Sequence, residues 1–100
     1  MSLKYRISKK ANQDLNSIWL YTLNKWSKDQ ADRYYNLIMD EVEFLAQNLY
    51  SGKSKDYIKE GYRSSTIKSH IIFYKISEDG ILEVIRILHQ KMDLESRLND

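Results

Sequence analysis

The segment from His70 to Asp93 constrains the fold most. It reads HIIFYKISEDGILEVIRILHQKMD, with two apolar β-runs on either side of Asp79-Gly80. A two-residue type I′ turn at Asp79-Gly80 would join the runs as an antiparallel hairpin. A sheet with one solvent-exposed face alternates apolar and polar residues. Both faces of this hairpin are apolar, so both are predicted to be covered by other parts of a protein. One face would carry Ile72, Tyr74, Ile76, Ile85 and Ile87, and the other Ile71, Phe73, Val84, Arg86 and Leu88.

Length and composition narrow the class of protein. The 100 residues are enough for one domain, spanning 1–100. The chain has no cysteine, so disulfides and thiol chemistry are excluded. No segment approaches the roughly 18–20 apolar residues that cross a bilayer, and no signal peptide is evident, so we expect a cytoplasmic protein without membrane contact. The net charge of only +2 does not support general coating of nucleic acid, and no direct sequence-specific nucleic-acid binding is expected.

The first half of the chain predicts a strand and a helix. Residues 3–7 alternate apolar and polar like a short strand, and Ser8 is a suitable N-cap for a helix from about Lys9 to Trp26. The inward positions of this helix recur at intervals of three or four residues. They are Ala11, Leu15, Ile18, Thr22 and Trp26.

A second helix is predicted to follow almost immediately. Ser27 to Gln30 has the S-x-x-Q form of a capping box. The helix should end near Tyr50-Ser51-Gly52, where glycine can adopt the left-handed conformation of a helix C-terminus. Two amphipathic helices with almost no loop between them form an antiparallel helical hairpin, which would cover one face of the sheet. The apolar stripe of the second helix is Ala31, Tyr34 or Tyr35, Ile38, Val42, Leu45 and Leu49.

The fold class that follows is α+β. We predict an N-terminal strand and a helical hairpin packed on one face of a three- to four-stranded, mainly antiparallel sheet, with residues 53–60 as a polar loop and 61–67 as a strand. The tail from Met92 to Asp100, with at most a short helical turn, is too short to bury the whole of the second face. Leaving several large apolar side chains bare would cost several kcal/mol, at roughly 25 cal/mol per Å². We therefore expect an extended segment of a partner protein to cover that face.

Four segments of the chain carry a family resemblance: YRIS, IWLYTLNKWS, GYRSSTIKSHIIFYKI and ILEVIRILHQKMD. The most specific part is the closing R-I-L-H-Q-K-M-D combined with Gly61-Tyr62-Arg63. In these segments the chain resembles the ParE branch of the RelE/ParE toxins of bacterial type II toxin–antitoxin systems. The resemblance covers nearly the full chain. It implies a RelE/ParE-like fold and an antitoxin whose C-terminal segment wraps over the toxin. It also implies growth arrest through poisoning of DNA gyrase.

RelE-like relatives instead cut messenger RNA on the ribosome, which defines the alternative function. Such cleavage needs a general base, cations and a general acid in one site. Arg63 and Arg86 match the family's arginines in kind, and Lys53 and Lys55 lie where its loop lysines lie. The family's terminal tyrosine is missing, so His89 would have to replace it. A third alternative is a protein-interaction module without toxicity.

The candidate residues divide into two groups. The gyrase-binding candidates are Arg63, Arg86, His89, Gln90, Lys91 and Met92; the antitoxin-binding candidates are Ile71, Phe73, Val84, Arg86 and Leu88. No metal site and no cofactor are expected.

Structural roles compete with these assignments. An arginine in mid-strand among apolar residues favours an anchored carboxylate or carbonyl as its partner. His70 and His89 are predicted to face each other across the strands as ordinary strand-end histidines rather than as a catalytic pair. Core packing is the preferred role for the aromatic residues on the helices, which are Trp19, Trp26, Tyr34 and Tyr35.

Overall fold

The computed structural model describes residues 5–92 and Leu98. Two helices pack on a five-stranded mixed sheet, with strand order β1-β5-β4-β3-β2. The elements are β1 (Tyr5–Ile7), α1 (Lys9–Lys25), α2 (Lys28–Gln47), β2 (Lys53–Ser54), β3 (Arg63–Ile67), β4 (His70–Ile76) and β5 (Leu82–His89).

The α+β class is confirmed, and the strand count differs from the predicted three to four. β1 pairs in parallel with β5, while the other neighbouring strands are antiparallel. β2 lies within the segment predicted as a polar loop and adds a two-residue strand beside β3. Neither helix of the described chain combines the length and apolarity needed to span a bilayer.

Both predicted helix starts are confirmed. The Ser8 hydroxyl accepts a hydrogen bond from the Ala11 N–H at 3.0 Å and donates to the Ile85 carbonyl at 2.7 Å, so this cap also ties α1 to β5. The Ser27 hydroxyl accepts from the Gln30 N–H at 3.1 Å at the start of α2. These caps form because the serine oxygen satisfies an amide of the first turn.

The predicted end of α2 near Gly52 is wrong, since the helix ends at Gln47. Position 52 has no room for a larger side chain. An added Cβ at Gly52 would lie 2.6 Å from the Ser64 carbonyl oxygen and closer still to the Tyr74 hydroxyl. That buried hydroxyl donates to the Leu49 carbonyl at 2.9 Å and accepts from the Gly52 N–H at 3.0 Å. Gly52 thus lets the chain leaving α2 bind to the core strand β4.

We expect Gly52→Ala to lower the free energy of unfolding by about 1–3 kcal/mol, because the added methyl group forces Tyr74 or the backbone of β3 to move. Urea unfolding followed by circular dichroism measures the change. Ser51→Ala, at the exposed neighbouring position, is the matched control. Equal stability of the two variants would contradict the steric role of Gly52.

The β4–β5 hairpin keeps the predicted register at one end only. His70 pairs with His89 and Phe73 with Arg86, as predicted, but Tyr74 pairs with Val84. The register therefore shifts by one residue at Ile85, and this bulge places residues 82–85 on the faces opposite to those predicted. The predicted two-residue turn is wrong, because residues 77–81 separate the strands.

Because of the bulge, the residues on each face of the hairpin differ from those predicted. Val84 lies in the helix-side core, and Ile85 packs on the opposite cluster, the reverse of the predicted arrangement. The helix-side core consists of Ala11, Leu15, Ile38, Val42, Leu45, Ile72, Tyr74, Leu82, Val84 and Ile87.

The expectation that the second face lacks cover within the chain is wrong. Phe73 and Leu88 are buried there together with Tyr62 and Leu98, and Ile58, Ile71 and Ile85 pack against them. Tyr62 and Ile58 come from the segment between β2 and β3, and Leu98 comes from the tail. The helical turn predicted for residues 92–100 otherwise lies outside the described residues. A partner is therefore not needed to bury Phe73, Val84 or Leu88.

Candidate functional site

A broad groove lies between the tip of the helical hairpin and one end of the sheet. Its volume is about 1180 Å³. The hairpin side contributes large apolar side chains that are exposed to solvent, with Trp26 68% and Tyr21 62% exposed. The sheet side contributes the β3–β4 turn and the residues that follow β5. The apolar and aromatic lining residues are Ile18, Tyr21, Trp26, Tyr34, Leu37 and Met92.

The groove is positively charged. Lys25, Arg33 and Lys68 line it, and no carboxylate does within the described part of the chain. Cations around exposed aromatic and aliphatic side chains are complementary to an acidic, amphipathic segment of another protein. The groove therefore has the properties of a protein-docking surface.

The two histidines meet at the floor of this groove. The Tyr34 hydroxyl lies 2.6 Å from His70 Nδ1, and the ring centroids of His70 and His89 are 5.2 Å apart in an edge-to-face arrangement. His89 Nδ1 accepts a hydrogen bond from the Lys91 N–H at 3.1 Å. Burial lowers the pKa of His70, and the nearby His89 adds to this shift, while Asp14 opposes it. The folded protein therefore favours a neutral His70.

Arg86 and Asp14 form a largely buried ion pair beside the sheet. Arg86 Nε lies 2.9 Å from one carboxylate oxygen of Asp14, and a terminal guanidinium nitrogen lies 3.0 Å from the other. The Ile87 N–H donates to the same carboxylate at 2.9 Å. The two side chains are only 13% and 15% exposed. The predicted role of Arg86 as an anchor for a carboxylate is confirmed, and the carboxylate belongs to α1.

Arg63 makes a different set of internal contacts. It donates to the carbonyls of Tyr50 at 2.9 Å and Gly52 at 2.6 Å, and so holds the connection between α2 and β2. Arg63 pairs with Tyr74, whereas His89 pairs with His70. Those two positions are four residues apart along β4, a distance of about 13 Å. The candidate gyrase-binding residues are therefore not brought together as one surface.

Comparison with known proteins decides the family. The model of a family described as the ParE toxin of the parDE type II toxin–antitoxin system matches residues 5–94. The chain is 36% identical to Toxin ParE1 of Mycobacterium tuberculosis over 98 residues, which cover 98% of this chain and 100% of the relative. The chain belongs to the ParE toxin family of type II toxin–antitoxin systems. An antitoxin partner follows from that assignment.

Two further comparisons agree with it. Toxin ParE1 of Caulobacter vibrioides is 34% identical over 95 residues, covering 94% of this chain and 96% of the relative. A solved structure described as the chromosomal ParDE TA system from P. aeruginosa has a TM-score of 0.72 at 20% identity, covering 88% of this chain and 98% of that one. This ParE toxin thus shares its fold with that structure.

The gyrase-binding candidates of this ParE toxin divide between two places. His89 and Met92 line the groove, and Gln90 lies beside them, with its N–H bonded to the Ser69 carbonyl at 2.9 Å. Lys91 is exposed between Gln90 and Met92. Arg63 and Arg86 make the internal contacts described above.

Sequence reasoning missed the hairpin side of the groove. Trp26 was predicted to be a core residue, but α1 ends at Lys25 and Trp26 is exposed at the tip. Tyr35 is also exposed, whereas Trp19 is partly buried and donates from Nε1 to Asp32 at 2.9 Å. The available signal was the capping box at Ser27, which places Trp26 directly before a new helix and therefore outside the regular face of α1.

The lowered pKa of His70 predicts a pH-dependent stability. In the unfolded chain the His70 imidazole has a pKa near 6.5. In the folded chain its pKa is lower, so the imidazole becomes protonated only at lower pH. The contribution of His70 to stability is therefore complete above pH 6.5 and is lost as the pH falls through the lower, folded-state pKa. The melting temperature should decrease from pH 7.5 to pH 5.5, and less steeply in His70→Gln. Identical slopes in the two proteins would contradict this assignment.

Proposed function

We propose that this toxin arrests growth in the cytoplasm by binding DNA gyrase rather than by cutting messenger RNA. The observation that carries this choice is the commitment of both candidate arginines to internal contacts. Arg86 is held by Asp14, and Arg63 by two backbone carbonyls. His89, the only candidate acid or base of the alternative, lies about 13 Å along β4 from Arg63. A ribonuclease site needs these groups in one place.

The gyrase contact in this proposal is the exposed end of the molecule after β5. Lys91 and Met92 are both exposed there, and His89 and Met92 also line the groove. We propose that the antitoxin docks in the groove, where cations surround apolar side chains without a lining carboxylate among the described residues. A partner in the groove would cover His89 and Met92. Antitoxin binding would thus neutralise the toxin by occupying part of the surface that gyrase contacts.

This placement replaces the predicted antitoxin site on the second face of the sheet. Phe73 and Leu88 are buried there within the chain, Val84 lies on the helix side, and Arg86 is bound to Asp14. Ile71 is partly buried and packs on the second-face cluster. The groove, in contrast, offers apolar surface that the described chain leaves open to solvent.

A supercoiling assay tests the proposed target. Purified toxin should inhibit supercoiling by purified gyrase and lead to accumulation of cleaved DNA, and the antitoxin encoded beside it should reverse both effects. We expect Lys91→Ala/Met92→Ala to weaken inhibition at least about tenfold, because interface residues of this kind contribute about 1 kcal/mol or more each at a contact centre. Lys9→Ala, at an exposed position on α1, is the control.

Two results would contradict the proposal. Cleaved transcripts in a translating extract, together with normal supercoiling by gyrase, would establish the ribonuclease instead. Unchanged growth after induction of the folded protein would favour a protein-interaction module without toxicity.

A further inference from the structure

We propose that the outer edge of the sheet, from Tyr50 to Lys59, binds single-stranded nucleic acid without reading its sequence. This surface lies at the β2 edge, whereas the groove and the proposed gyrase contact lie at the hairpin tip and the end of β5. The inference adds a ligand to the proposed function, which involves protein partners only. Its test contains no gyrase and no antitoxin, so the two proposals can fail separately.

The topology leaves this edge open. β2 has one strand neighbour in the sheet order, β3, so its other side carries no described strand. The Lys55 N–H continues the pairing by donating to the Tyr62 carbonyl at 2.7 Å. Tyr50 and Tyr57 flank this stretch and are 74% and 75% exposed, the highest values among the large hydrophobic side chains of the described chain.

Each of these exposed rings is paired with a cation. The Lys55 ammonium lies 5.5 Å from the centre of the Tyr57 ring, and the Arg63 guanidinium lies 5.5 Å from the centre of the Tyr50 ring. Each cation is attracted to the aromatic ring beneath it. This attraction limits the conformations of these long side chains before any ligand binds. Proteins that bind single strands combine the same two groups, rings on which bases stack and cations that follow the phosphates.

The same segment carries a net positive charge. Residues 50–63 contain Lys53, Lys55, Lys59 and Arg63 against Asp56 and Glu60, which equals the net charge of +2 of the whole chain. The Asp56 carboxylate accepts a hydrogen bond from the Gly61 N–H at 2.8 Å and so holds the loop together, while Lys53 and Lys59 are exposed and Lys55 is half-buried. Phosphate contacts by such cations are independent of base sequence.

Fluorescence anisotropy with a labelled 15-nucleotide oligothymidine tests this proposal on the full chain. We expect saturable binding at low salt that weakens as salt rises. Tyr50→Ala/Tyr57→Ala should reduce affinity at least about tenfold, because base stacking is lost. Tyr35→Ala, which removes another exposed tyrosine on α2, should leave the affinity unchanged.

Two double variants, each lacking two positive charges, test the phosphate contacts. Lys55→Gln/Lys59→Gln should decrease the salt dependence by more than Lys9→Gln/Lys28→Gln, which removes the same charge elsewhere. Thermal melting by circular dichroism confirms that each variant is folded. An oligouridine of equal length distinguishes RNA from DNA as the preferred strand.

Three results would overturn the proposal. The first is no binding of either oligonucleotide up to about 100 µM at low salt, the weak limit of nonspecific association. The second is equal loss of affinity in Tyr35→Ala and in the Tyr50/Tyr57 variant. The third is equally tight binding of an oligoglutamate peptide, which would mark the edge as a surface for acidic proteins.

Discussion

Replacing Asp14 with alanine is expected to lower the free energy of unfolding by about 3–5 kcal/mol, the range for breaking a buried ion pair. The substitution removes the carboxylate that accepts two hydrogen bonds from Arg86 and one from the Ile87 N–H. The whole stability of a domain is about 5–15 kcal/mol, so this loss is a large part of it. Urea unfolding followed by tryptophan fluorescence measures the effect.

Asp79→Ala is the matched control, because it removes a carboxylate bound to the exposed Arg6. Those side chains are 50% and 55% exposed, and surface ion pairs of this kind contribute little. Asp14→Ala/Arg86→Met should recover part of the stability lost in Asp14→Ala, since an apolar side chain can replace the buried charge. Similar unfolding midpoints for Asp14→Ala and Asp79→Ala would show that the buried pair is not important for stability.

This prediction also changes how an Arg86 variant is interpreted. Arg86→Ala should abolish growth arrest, as expected for a target-binding residue, but through loss of the fold. Circular dichroism of the purified variant separates the two explanations.

Replacing Trp26 with alanine is expected to weaken antitoxin binding by at least about 2 kcal/mol, or roughly thirtyfold, the size of effect seen at interface hot spots. Trp26 offers the groove a large aromatic surface that the described chain leaves exposed. Its removal should affect stability little, because few of its atoms are buried. Isothermal titration calorimetry with the cognate antitoxin measures the affinity.

Leu20→Ala provides the control, since Leu20 is 52% exposed on α1 and does not line the groove. Its antitoxin affinity should equal that of the unmodified toxin. Arg33→Gln should weaken binding mainly at low salt, because Arg33 contributes charge to the groove. Unchanged affinity in Trp26→Ala together with weakened affinity in Leu20→Ala would move the antitoxin site away from the groove.

The parts of the fold that depend on neighbouring residues could be predicted from the sequence. Ser8 and Ser27 cap their helices because the groups that they bind lie three residues ahead. The antiparallel pairing of His70 with His89 also followed from the hydrophobic pattern and the turn residues. These features need little knowledge of the rest of the molecule.

The features that depend on distant residues could not be predicted. The bulge at Ile85 exchanges the faces of Val84 and Ile85, and no local pattern marks it. The partner of Arg86 is 72 residues away in the sequence, so a carboxylate was expected but Asp14 was not. The sequence also predicted one continuous candidate site. The strand register instead separates Arg63 from His89, and this register depends on residues distant in the sequence.

The pairing of the first strand with the last has a consequence for synthesis on the ribosome. β1 and the cap of α1 bind to β5, and the hydrogen bond from Ser8 to the Ile85 carbonyl joins residues 77 positions apart. A nascent chain that stops before Leu82 lacks the neighbour of both β1 and β4, as well as the buried partner of Asp14. Incomplete products of translation that lack β5 therefore cannot assemble this sheet, and a folded toxin forms only after Leu82–His89 has been synthesised.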